Sequence, residues 1–148
     1  LFYKIEVQVP REYFAPINLG KDSLGNNFYA DLNKLPNLLV GGCTGSGKSV
    51  VLHNFIISLI KSNADIYLVD PKMIEFSVYE DSENVISISN SVEEFENVLD
   101  QITDKMMLRF SMLKKSRSRN VVEHNKKTNY CKMKPLVLVI DEWADLIL

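Results

Sequence analysis

Cysteine is scarce. The 148 residues hold two, Cys43 and Cys131, too few for a disulfide framework and without metal-ligand spacing to either His53 or His124, so no structural zinc is expected. That usage fits a reducing, cytosolic compartment. No apolar run approaches the ~20 residues needed to cross a bilayer. Leu1 to Val9 alternates polar and apolar side chains in the manner of a strand, not of a secretory leader. There is no internal repeat and no low-complexity tract. An initiator methionine is also missing, and the chain stops eight residues after its last strand-like run, so it reads as an excerpt of a longer protein. With 46% hydrophobic residues it is expected to form one domain, or a large part of one, with a proper core.

What is present is concentrated at two places. Gly42-Cys43-Thr44-Gly45-Ser46-Gly47-Lys48-Ser49 fits the phosphate-binding pattern GxxxxGK[ST]. Leu38-Leu39-Val40 before it reads as a buried strand, and Val50 to Ile60 after it as a buried helix. A loop between strand and helix can turn successive backbone N–H groups inward, and the helix N-terminus adds its positive dipole end. Glycines at 42, 45 and 47 permit the backbone angles and close approach that side chains would block. Lys48 can then reach the β- and γ-phosphates, and the Ser49 hydroxyl is suited to ligate Mg²⁺. The expected ligand is a nucleoside triphosphate.

The second place is Leu136-Val137-Leu138-Val139-Ile140, a short apolar run that reads as a central parallel strand buried on both faces, ending in Asp141-Glu142. A carboxylate at such a strand tip lies where ligands gather in open α/β sheets, so Asp141 is the expected second Mg²⁺ ligand. Glu142 beside it can orient and deprotonate an attacking water. A GTPase would show NKxD, which is absent, and its DxxG does not match Asp141, which is followed by Glu-Trp-Ala. Transfer of phosphate to water, by an ATPase, is the expectation.

Between the two lie further candidate elements. Ile17 to Gly20 and Phe28 to Ala30, joined through Gly25-Asn26-Asn27, read as strands of a β-rich lead-in over residues 1–31, with the ATPase core over 32–148. Ile66 to Val69 and Val85 to Ile88 are two more strands. Ser91-Val92-Glu93-Glu94 is a capping box that opens a long helix. Its apolar residues at 92, 95, 98, 99, 102, 106, 110 and 113 predict one face packed on the sheet. Strands interposed between the phosphate loop and the Asp-Glu strand are the arrangement of RecA-like P-loop ATPases. The fold class expected is therefore α/β, a mainly parallel sheet flanked by helices with a short N-terminal β segment. More strands, and a residue sensing the γ-phosphate, are expected after Asp141.

Charge is uneven. Residues 105–134 carry ten Lys or Arg and one acid, Glu123, against a net charge of −2 for the whole chain. Such a stretch can neutralise the phosphates of DNA, can be a solvated loop, or can face a neighbouring subunit's nucleotide.

These residues together resemble the FtsK/SpoIIIE-type DNA translocases of the FtsK–HerA superfamily. The resemblance runs from about Ile17 to Leu148. It rests on Leu19-Gly20-Lys21-Asp22, Ala30-Asp31-Leu32, Pro36 to Val40, Thr44 to Val50, Arg119-Asn120, Asn125 and Asp141 to Leu146. Its most specific part is Asp70-Pro71-Lys72-Met73-Ile74-Glu75-Phe76-Ser77-Val78-Tyr79-Glu80. It implies a hexameric ring of RecA-like domains that moves double-stranded DNA by hydrolysing ATP at subunit interfaces. Lys48 and Ser49 would serve the triphosphate and Mg²⁺, Asp141 the Mg²⁺, and Glu142 would be the catalytic base. Asp70 or Lys72 could couple the site to the neighbouring subunit, or the segment is a proline-fixed turn with a solvated lysine. Met107-Leu108-Arg109-Phe110 departs from the family's Glu-Arg-Arg-Tyr, Arg117-Ser118 replaces its Gly-Val, and Trp143 replaces a phenylalanine. Two other readings stay open: a type VII-like secretion ATPase that moves protein, and a non-hydrolysing nucleotide-binding assembly module.

Overall fold

The computed structural model describes residues 8–43, 45–128 and 130–147. Residues 1–7 of the strand-like stretch Leu1 to Val9 lie outside these, and Gln8 and Val9 are not in a strand. The chain falls into two compact units. One runs up to Ile66 and includes Pro135–Val137; the other holds Tyr67–Lys134 and the chain from Leu138 onward.

In the first unit, β1 (Pro16–Lys21) and β2 (Asn27–Asp31) form the expected antiparallel hairpin, its turn closed around Gly25 at φ +86°. The register slips between Asn18 and Gly20. Asp31 clamps the open end: its carboxylate accepts the N–H groups of Phe14, Ala15 and Asn33 at 3.2, 2.9 and 3.1 Å. The hairpin packs on α1 (Lys48–Lys61), where the Ser58 hydroxyl accepts from the Asn18 N–H at 3.2 Å and donates to the Asn54 carbonyl at 2.7 Å. Ile17, Ile56 and Leu59 fill the seam. α1 ends in a Schellman motif: Asn63 is left-handed (φ 59°), and the Ala64 and Asn63 N–H groups bond back to Leu59 and Ile60.

The stretch 38–40 is not a strand. Leu39 is 93% exposed and Leu38 47%. An all-apolar strand needs neighbours that take its N–H and C=O groups. Among the described residues the three-stranded sheet of this chain does not include 38–40.

That sheet consists of β3 (Asp65–Val69), β4 (Val85–Ser89) and β5 (Leu136–Ile140). Asp65 N–H bonds Pro135 at the start of β3 and β5, and Asp141 N–H bonds Val69 at their ends, so the two run parallel. Asp70 N–H bonds Ser89, joining the ends of β3 and β4 in the same sense. The central strand is β3, with Ile66 to Val69 fully buried. β5, expected to be central and covered on both faces, is at an edge of this sheet and mostly half-buried.

In the second unit, α2 (Val92–Ser116) starts as expected, with the Ser91 hydroxyl accepting from the Glu94 N–H at 3.2 Å. The Glu94 carboxylate reaches back to Asn90 N–H at 2.9 Å. Phe95 packs with Val69 and Leu146, flanked by Leu138 and Ile140. The apolar stripe does not stay on the sheet, however. Phe95 and Val98 are buried, while Val92, Leu99, Met106 and Phe110 are 40–54% exposed. Length explains the exposure of Met106 and Phe110: 25 helical residues span about 37 Å, whereas five-residue strands span roughly 17 Å, so the helix outruns the sheet. α3 (Val121–Lys127) follows, then β5 and the short α4 (Ala144–Ile147).

Candidate functional site

In the first unit the phosphate-loop residues form a turn that leads directly into a helix. The Ser46 N–H bonds the Cys43 carbonyl at 3.0 Å, and Gly45 and Gly47 are left-handed at φ +80° and +93°. At Gly42 the constraint is space, since a Cβ there would collide with the Ser46 hydroxyl. These are the three glycines singled out from sequence. Thr44 lies outside the described residues. Gly42, Cys43, Gly45, Ser46 and Val50 are exposed, and Gly47, Lys48 and Ser49 half-buried.

The N-terminus of α1 differs from those of α2 and α3. Gly47 caps it without a side-chain hydrogen bond, and its first turn carries no acid. By contrast, α2 opens on Ser91 with Glu93 and Glu94, and α3 on Asn120 with Glu123. The first turn of this 14-residue helix, which carries Lys48 and Ser49 at its positive dipole end, thus supplies no acidic side chain of its own. An anion with several acceptor oxygens suits such a helix start.

The second unit carries the acidic strand end. Asp141 and Glu142 follow β5 and are both half-buried. Trp143 stands edge-on to Phe95, with ring centroids 6.2 Å apart, and Leu146 is in the core. The loop after β3 is held by a residue whose role the sequence left open. Asp70 is fully buried, and its carboxylate accepts from the N–H groups of Lys72, Glu75 and Phe76 at 3.2, 2.8 and 2.9 Å. Both its oxygens are therefore engaged by the Asp70 to Glu80 segment itself. Lys72 is not merely solvated: its Nζ is 2.9 Å from Asp145 Oδ2. This hydrogen bond, with the fields of Asp145, Glu142 and Asp141, holds its pKa above the usual lysine value. Asp145 carried no assigned role in the sequence, and its place three residues after Glu142 gave no sign of a partner on another strand's loop.

The basic stretch is a helix end and a short helix. Arg117 is left-handed (φ 51°), and the Arg117 and Ser118 N–H groups close a Schellman motif on Lys114 and Leu113. Lys105 lies over the Tyr67 ring at 5.1 Å. Lys127 pairs with Glu123 at 2.6 Å and donates to the Arg117 carbonyl at 2.8 Å. The Lys127 hydrogen bond, then the Arg119 N–H, hold the Glu123 carboxyl below its usual value. Two of the motif's asparagines are structural: Asn120 caps α3, and Asn125 exchanges hydrogen bonds with the Met133 backbone at 2.8 and 2.9 Å. Lys114, Lys115, Arg117, Arg119, Lys126 and Lys132 are exposed.

The family model FtsK/SpoIIIE matches residues 10–148. The chain belongs to the FtsK/SpoIIIE family. It is 36% identical over 140 residues to the DNA translocase FtsK of Campylobacter jejuni (strain NCTC 11168), a match covering 89% of this chain and 15% of that protein. It is 37% identical over 154 residues to the DNA translocase FtsK of Helicobacter pylori (strain J99), covering 97% and 18%. The chain thus spans under a fifth of the length of either. Among solved structures, the pCW3 conjugation coupling protein TcpA, in monomer form with ATPγS, is similar at a TM-score of 0.78 and 35% identity, over 90% of this chain and 37% of that one. No helix among the described residues is long and apolar enough to cross a membrane.

Proposed function

We propose that this chain is the nucleotide-binding part of an ATP-driven motor that moves double-stranded DNA. The observation that carries the reading is the start of α1: left-handed Gly47, no acid in the first turn, and Lys48 and Ser49 at the helix mouth of a family member whose named relatives are DNA translocases. The ATPγS bound to the similar coupling protein supports ATP as the nucleotide.

Lys48 binds the β- and γ-phosphates and offsets the charge that gathers there in the transition state. The N–H groups of Gly42 to Ser49 cradle the same phosphates, with Val50 following in the helix. The Ser49 hydroxyl and the Asp141 carboxylate are hard oxygen donors, a set that suits Mg²⁺, which prefers one or two carboxylates plus phosphate oxygens and water. Mg²⁺ there would supply Lewis-acid stabilisation of the phosphoryl oxygens. Glu142 accepts the proton of the attacking water. The working unit is a ring, proposed as a hexamer, and the basic stretch over residues 105–134 contacts DNA phosphates. The segment works on the cytosolic side, where ATP is available.

The test is Lys48→Ala in the intact protein. Equilibrium ATP binding should be lost; tight binding retained would contradict the phosphate-loop assignment.

A further inference from the structure

Lys72 stands out among the charged groups because its partner, Asp145, follows closely on the residues assigned to hydrolysis, although Lys72 belongs to a different strand's loop. Its backbone is fixed. Pro71 precedes it, its N–H is held by the buried Asp70 carboxylate, and Met73 after it is left-handed (φ 52°) with its N–H bonded to the Asp70 carbonyl. From this anchored point the side chain reaches Asp145 at 2.9 Å. Asp145 lies in the first turn of α4, three residues after Glu142. A four-residue helix has no stability of its own. The segment from Asp141 to Asp145 therefore depends on its attachments. These include the Asp141 N–H on Val69, Trp143 against Phe95 with Leu146 in the core, and Lys72 on Asp145.

We propose that Lys72 is a positioning residue for hydrolysis: through Asp145 it fixes the segment that bears Glu142 to the rigid loop after β3. The inference rests on the assignment of Glu142 as the base. The pair is too exposed to matter much for stability, with the Lys72 side chain 61% and the Asp145 side chain 35% accessible. Orientation is another matter, because small misplacements of a catalytic group cost rate steeply. Lys72 acts on where Glu142 stands and does not itself take up the nucleotide.

The experiment is steady-state ATP hydrolysis by the intact protein with duplex DNA, for Lys72→Met, Asp145→Asn, their double variant, Lys72→Arg and Glu142→Gln. Lys72→Met and Asp145→Asn should each lower kcat by about tenfold with KM for ATP within about twofold. The double variant should be no slower than the worse single, because both remove one interaction, and Lys72→Arg should keep kcat within about threefold. Unchanged kcat in either single, a raised KM with normal kcat, or losses that multiply in the double variant would overturn the proposal. If Glu142→Gln blocks hydrolysis while Lys72→Met does not, this inference alone fails. If Glu142→Gln turns over normally, the assignment of the base fails and takes this inference with it.

Discussion

Replacing Asp70 by alanine should unfold the loop that presents Lys72, and the cost can be worked from its three hydrogen bonds. Asp70 Oδ2 accepts from Glu75 and Phe76, and Phe76 is itself 1% exposed, so its N–H loses an acceptor where water does not reach. A buried donor deprived of its partner costs roughly 1–3 kcal/mol. The Glu75 N–H is half-buried and loses less, and the exposed Lys72 N–H can turn to water. Relief from burying a carboxylate offsets part of the loss. The net expectation is about 2 kcal/mol for Asp70→Ala. Asp70→Asn should cost only about half of that, because its carbonyl oxygen can keep the two inner bonds while its amide meets Lys72 at the exposed rim. Trp143 is the only tryptophan, and it packs on Phe95 in the same unit, so urea unfolding followed by its fluorescence reads the right region. A loss under ~1 kcal/mol for Asp70→Ala, or an asparagine variant less stable than the alanine one, would refute this account of the loop.

Other expectations follow from the same geometry. Arg117→Gly should raise stability by about 0.5–1 kcal/mol, because the residue ends α2 in a left-handed conformation that costs most side chains ~1–2 kcal/mol and glycine very little. A loss on urea titration would mean that Arg117 makes compensating contacts. Neutralising Lys114, Lys115 and Arg117 together should flatten the dependence of log K for duplex DNA on log salt by up to ~3 units. An unchanged slope would return the basic stretch to a solvated surface or a subunit contact.

The phosphate loop and α1 were legible because local rules fix them. Gly45 and Gly47 take left-handed angles, a Cβ at Gly42 would require the Ser46 side chain to move, and Val50 to Ile60 is apolar enough to be a buried helix. The hairpin, β3, β4 and the cap at Ser91 followed from equally local signals. What failed depended on partners. Leu38 to Val40 has strand composition but joins no sheet among the described residues, and β5 lies at an edge. The α2 periodicity was real, yet periodicity does not say how far the sheet extends beneath a helix, and Met106 and Phe110 lie past it. Asp70 and Asp145 were hidden for a related reason. A carboxylate that collects amides from residues up to six positions on, or an ammonium from another strand's loop, leaves no spacing to read.

ATP hydrolysis by the intact protein, with and without long double-stranded DNA and with Glu142→Gln as the blank, tests the central claim most directly. The account predicts strong stimulation by duplex, little by single strands or protein, and turnover lowered by about 10² or more in the variant. Hydrolysis indifferent to DNA would contradict it and favour a secretion or assembly ATPase.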